Sequence, residues 1–247
     1  MRRTTLAHRP WALPKTPYRM IQIWHDLLFI HWPVSPQKLQ LLLPNKFILD
    51  TFEESAWVGV VPFRMTGIRL RGTPAIPGFS AFPELNVRTY VKMEGKGGVY
   101  FFSLDASHPV MAEIARAWYR LNYFRSKIGF QKTENEIAFQ SIRSDRRSVL
   151  AEFKGRYSAV GEVFYSSPGT LEHWLTERYC LYVTSPQNQV FRGDIHHEPW
   201  PLQQAKLALE LNTMTHPLEL ELPSTTPQIL FSKRMEAFIW PLKRVFL

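Results

Sequence analysis

Apolar and polar side chains alternate through FPELNVRTYV, residues 82–91. Successive side chains of a strand point to opposite faces. Leu85, Val87, Thr89 and Val91 then share one face, and Glu84, Asn86, Arg88 and Tyr90 share the other. Such a strand is either the solvated edge of a sheet or one wall of a polar pocket.

The rest of the pattern is rich in strands. MIQIWHDLLFIHW (20–32) is a mostly apolar run that reads as a buried strand, and AWVGVVPFRM (56–65) is a strand in which Pro62 marks an edge or a bulge. ELNVRTYVKM and VYFFSLDA flank EGKGG, a hairpin signature. Shorter strand patterns follow in EIAFQSIR, SVLAEFKGRY, RYCLYVT, QVFRGDIHH and FIWPLKRVF.

Short helices are predicted at SPQKLQLLLP (35–44), HPVMAEIARAWYRL (108–121) and TLEHWLTERY (170–179). Ser35 is the N-cap of the first, with Pro36 at its first position and Pro44 as its stop. The second has helical spacing at Val110, Ile114 and Ala117, and the third begins at a Thr170 cap. PLQQAKLALELN is ambiguous: its Ala and Leu content favours helix, whereas Leu207, Leu209 and Leu211 alternate as in a strand. The balance predicts a mainly β (α+β) fold, a curled antiparallel barrel or cone with a few short peripheral helices.

Composition narrows the class. With 45% hydrophobic and 21% charged residues in 247, a sizeable core is available and wholesale disorder is excluded. No fixed-period repeat or low-complexity linker appears, so residues 1–17 are expected as an extended N-terminal segment and 18–247 as a single domain. Cys180 is the only cysteine, which excludes a disulfide framework and fits a reducing cytoplasm. The N-terminus lacks the apolar core of a signal peptide, and no run approaches the ~18 apolar residues of a spanning helix. A net charge of +9 raises the prospect of an anionic partner, but the basic residues are scattered and no nucleic-acid-binding motif accompanies them. Neither nucleic acid nor membrane is therefore expected as a partner.

Familiar catalytic signatures are missing: there is no Walker loop, no G-x-G-x-x-G and no G-x-S-x-G. Cys180 lies in an apolar YCLYV run, where a buried, inert thiol is expected. His196 and His197 are adjacent and would face opposite ways in a strand, while His25 and His31 lack a metal-binding motif, so no metal and no cofactor are expected. Glu84 stands apart, since it travels with Asn86 and Arg88. Same-face neighbours lie roughly 6–7 Å apart, close enough to line one small cavity. A carboxylate there can carry protons; an exposed ladder of ion pairs is the alternative.

WHDLLFIHWPVSPQKLQLLLP, LDTFEESAWVGVVPFRM, FPELNVRTYV, GGVYFFSLDA, RYCLYV, HHEPWPLQQA and FIWPLKR together resemble the YqjF-like family, a bacterial family of unknown function. The match runs over nearly the whole chain. That family is placed by its fold near acetoacetate decarboxylase, which implies a curled, largely antiparallel sheet around an inner cavity. The decarboxylase's strand glutamate resembles Glu84, which the resemblance puts inside the cavity. Its arginine after the preceding aspartate resembles Arg116 after Asp105, and the arginine that receives the substrate carboxylate falls on His25. Its two lysines, one the Schiff-base former, fall on Tyr123 and Phe124. Neither can replace an amine, and Lys127, the closest lysine, lies several positions onward. The resemblance thus implies the scaffold without the decarboxylase chemistry.

The expected function is the binding of a small polar or acidic metabolite, such as an organic acid, in a cavity lined by Glu84, Asn86, Arg88, Arg64, His25, Arg116 and Tyr123. One alternative is a lyase, isomerase or hydratase in which Glu84 moves a proton and Tyr123 assists. Another is a non-catalytic interaction module with a basic surface. An edge strand can pair two copies, but no segment identifies one, so the oligomeric state stays open.

Overall fold

The computed structural model describes residues 6–246; residues 1–5 of the predicted N-terminal segment lie outside the described residues. Its strands are β1 (Met20–Val34), β2 (Ile48–Leu49), β3 (Ala56–Leu70), β4 (Phe82–Met93), β5 (Lys96–Ala106), β6 (Tyr123–Lys132), β7 (Ile137–Arg143), β8 (Glu152–Phe164), β9 (Cys180–Thr184), β10 (Val190–His196), β11 (Leu202–Asn212) and β12 (Gln228–Val245). Helices α1 (Pro36–Leu41), α2 (Pro109–Tyr119) and α3 (Leu171–Thr176) lie between them. Among the described residues, no helix is long and apolar enough to cross a membrane.

Local chemistry explains these elements. Ser35 caps α1 by accepting from the Lys38 N–H, and Thr170 caps α3 by accepting from the His173 N–H. The β4–β5 hairpin turns on Glu94 and Gly95, both at positive φ (49° and 72°), the geometry that matches strand twist. Alternation decides the ambiguous 201–212 segment, which forms β11 along β8. β6, which the sequence pattern did not single out, begins beside β5 because α2 carries the chain back along it. The β5–β6 pairing is consequently parallel, as is β5–β9, in a sheet that is otherwise antiparallel.

All the strands belong to one sheet, ordered β10-β9-β5-β6-β7-β8-β11-β12-β1-β3-β4-β2. It curls until β12 pairs with both β1 and β10, and β5 pairs with β4. Pairings thus run in a circuit through β1, β3, β4, β5, β9, β10 and β12. The N-terminal segment is tied across this circuit: Arg9 donates to the Ile195 carbonyl at 2.7 Å and Trp240 to the Thr16 carbonyl at 2.7 Å.

Curling buries both faces of the central strands. Leu28, Ile30, Val58, Val60, Leu85 and Val87 enter one apolar cluster. Leu27, Phe29, Val61, Phe63 and Phe82, on the opposite faces of the same strands, enter another. Pro62 sits where the β1–β3 ladder breaks between His25 and Ile30, a bulge marked by Asp26 at φ 52°. A residue without an N–H is tolerated there because no ladder bond is lost.

Behind β5 the Asp105 carboxylate is fully buried. It accepts two bonds from Arg143 (2.7 and 2.6 Å) and one from Ser126 (2.6 Å). Removing one member of such a pair strands a charge without solvent. Arg143→Ala is expected to cost about 3–5 kcal/mol in urea denaturation. Lys154→Ala, which breaks the exposed pair with Glu210, is expected to cost under about 1 kcal/mol.

Candidate functional site

The circuit surrounds a cavity of about 120 Å³, to which each of its strands contributes a side chain. Trp24 and Leu27 come from β1, Phe63 and Met65 from β3, and Phe101 and Leu104 from β5. Leu181, Ile195 and Ile239 come from β9, β10 and β12; Ala115 and Tyr119 of α2, with Trp200, complete the wall. Its polar groups come from β4: Glu84, Asn86 and Arg88 all line it, joined by Tyr123 from the start of β6. β4 is therefore a pocket wall and not a solvated edge, and Glu84 is only 2% exposed.

The Tyr123 hydroxyl donates to Glu84 Oε2 at 2.9 Å. Burial raises the Glu84 pKa to about 8; the Tyr123 hydrogen bond opposes that shift and the Asp105 charge adds to it. Burial and the neighbouring Glu84 push the Tyr123 phenol well above its ordinary value. At pH 7 the pair is mainly a carboxylic acid beside a phenol, so Glu84 holds a proton that it can release within reach of neutral pH.

Further along the wall, Arg88 is buried with its guanidinium over the rings of Phe29 (5.1 Å) and Tyr90 (5.7 Å). Its protein hydrogen bond is a long one, 3.5 Å, to the Leu175 carbonyl, and no carboxylate of the described residues pairs with it. Arg88 Nε, Asn86 Oδ1 and Trp200 Nε1 are buried polar atoms without a protein hydrogen-bond partner. Native interiors seldom leave such groups unpaired. Three of them belong to residues on the lining of one cavity.

The structure does not bring every expected residue here. His25 and Arg64 neighbour Trp24 on β1 and Met65 on β3, which face the cavity, so strand alternation turns them to the opposite side. His25 contacts Thr66 Oγ1 at 2.8 Å, and Arg64 lies over Phe130. Arg116 sits on the outer part of α2, where it donates to the Tyr123 carbonyl at 2.8 Å and approaches Glu113. It supports the backbone that carries Tyr123 and does not line the cavity. Phe124 alternates away beneath the Arg143 guanidinium, and Lys127 is exposed; no lysine lines the cavity. Trp200, Tyr119 and Met65 also line the cavity, and no sequence pattern marks them for it. Trp200 falls in the HHEPW stretch, but only the closed sheet shows where its indole goes.

The buried Cys180 thiol is pushed up to about 12 by desolvation, so it stays protonated at neutral pH.

The large curled sheet with few helices is similar to acetoacetate decarboxylase-like folds. The enduracididine biosynthesis enzyme MppR, complexed with pyruvate, superposes with a TM-score of 0.60 at 9% identity, covering 96% of this chain and 93% of that one. An acetoacetate decarboxylase-like enzyme from Sphingomonas wittichii RW1 gives 0.60 at 12% identity, covering 96% and 98%. Within that fold, the chain belongs to the family DUF2071, described as an uncharacterized conserved protein, whose model matches residues 21–236. Its sequence is 40% identical over 233 residues to the uncharacterized protein YqjF of Bacillus subtilis (strain 168), covering 94% of this chain and 95% of that protein.

The buried acid has a measurable signature. The folded carboxyl keeps its proton to about pH 8, whereas the ordinary value is 4.5. The folded state therefore binds more protons across that interval, and stability falls as pH rises through it. Glu84→Gln, which mimics the neutral form, is expected to gain stability relative to the natural protein between pH 5 and 8, by on the order of 3 kcal/mol in paired denaturation curves.

Proposed function

We propose that this protein binds a small organic acid in the cavity, with its carboxylate on Arg88. The observation that carries this reading is the set of unpaired polar atoms. Arg88 Nε and Trp200 Nε1 are donors, Asn86 Oδ1 is an acceptor, and Arg88 is a buried cation without a protein counter-charge. A carboxylate seated there would relieve the cost of burying that cation and occupy its donors in a charge-assisted bond. That MppR, of the same fold, has been captured with pyruvate supports a small acid as the kind of ligand this scaffold accommodates.

A catalytic reading rests on a different observation, the Glu84–Tyr123 pair with its raised carboxyl pKa. Glu84 would exchange a proton with carbon or oxygen of the bound acid, as a lyase, isomerase or hydratase requires, while Tyr123 orients the carboxyl. Schiff-base decarboxylation is not part of the proposal, because the cavity wall carries no amine.

Thermal-shift titration with pyruvate and lactate, and with their amides as uncharged controls, tests the binding role. The acids are expected to raise the Tm by several degrees at saturation and the amides are not. Arg88→Met should abolish the shift, and it should fold, because an apolar replacement of a buried charge is commonly neutral or stabilising. An unchanged acid shift in Arg88→Met would remove the carboxylate site. Glu84→Gln should retain binding and lose any turnover.

A further inference from the structure

A second recess of about 440 Å³ lies between α2, the end of β3 and the 71–81 connection. Its wall includes Ile68, Ile76, Phe79, Phe82, Ile114 and Trp118, and is overwhelmingly apolar. Several of these side chains are open to solvent, with Ile76 63% and Trp118 54% exposed. The His108 ring ties the connection to the start of α2 by a 3.0 Å bond to the Gly78 carbonyl, and contacts Phe79 and Phe82. Most important, the recess and the polar cavity share Met20, Gln22, Met65, Ala115, Tyr119 and Tyr123. The two spaces therefore adjoin, bordered by the same side chains, with Tyr123, the partner of Glu84, in both.

β4 sets the order of chemistry along this path. Phe82 lines the apolar recess, Glu84 and Asn86 follow, and Arg88 lies at the far end. Six strand residues span about 20 Å. The polar cavity alone falls below the roughly 300–1,000 Å³ of ordinary ligand sites, whereas the recess falls inside that range. Building on the binding role above, we infer that the ligand is an amphiphilic monocarboxylate, its acid head on Arg88 and its apolar chain in the recess under Trp118 and Ile76. The proton-bearing Glu84 then faces the middle of the molecule and not its carboxylate. The chain covers the exposed apolar wall, which is otherwise a liability in water.

A homologous series of straight-chain monocarboxylates from three to eighteen carbons, the longest able to reach from Arg88 to the recess, is titrated by calorimetry to test this. Affinity is expected to rise about three- to fourfold per added methylene until the recess is filled. Ile76→Glu and Ile114→Glu change solvent-accessible positions and should fold. They are expected to flatten the chain-length dependence while leaving three-carbon acids bound through Arg88. If short acids bind in an Arg88-dependent way but affinity does not change with length, or is untouched by both variants, the inference fails and the binding role stands. If long-chain alcohols bind as tightly as the acids in a recess-dependent way, the carboxylate site fails and the apolar recess survives. If no chain binds, or the variants alter only self-association, the recess is not a ligand subsite and the inference is overturned.

Discussion

Desolvation of the β4 polar row governs this molecule. Glu84, Asn86 and Arg88 occupy a face that the curled sheet buries, so each must be neutralised, paired or left unsatisfied. Glu84 is neutralised by keeping its proton and is held by Tyr123. Arg88 cannot be neutralised and rests on aromatic faces, which satisfy a guanidinium only in part. The chemistry of the site follows from that asymmetry: a held proton at one position and an unspent positive charge along the same wall.

The fold makes the asymmetry sustainable. Strands with apolar residues on both faces pack against two clusters at once, so a few polar positions on one face are carried by a large apolar majority. The Asp105–Arg143–Ser126 group pins β5 to β6 and β7 directly behind Glu84. Its negative charge also adds to the pressure on the Glu84 carboxyl to stay protonated. The buried ion pair and the buried acid are thus coupled through the low-dielectric interior.

Much of this was legible in the chain. Alternation located the row on β4, cap chemistry located the first and third helices and helical spacing the second, and family resemblance turned an undecided strand into a cavity wall. Pro62 signalled the bulge correctly. What escaped was set by geometry that no local pattern encodes. His25 and Arg64 were grouped with Glu84 by chemistry, yet the phase of each strand turns them away from it. Trp200 reaches the cavity from a loop, where periodicity says nothing of direction, and β6 is placed by the return of α2. The apolar recess is assembled from α2, β3 and the 71–81 connection, which meet only after folding.

The central claim concerns the state of one carboxyl group, and a ¹³C NMR titration of the Glu84 side chain, assigned by comparison with Glu84→Gln, measures it directly. A midpoint of about 8 is the predicted result, moving further on addition of an acid that occupies Arg88. A midpoint at the ordinary 4.5 would mean that water reaches the carboxylate freely, and would contradict the enclosed acid on which the site depends.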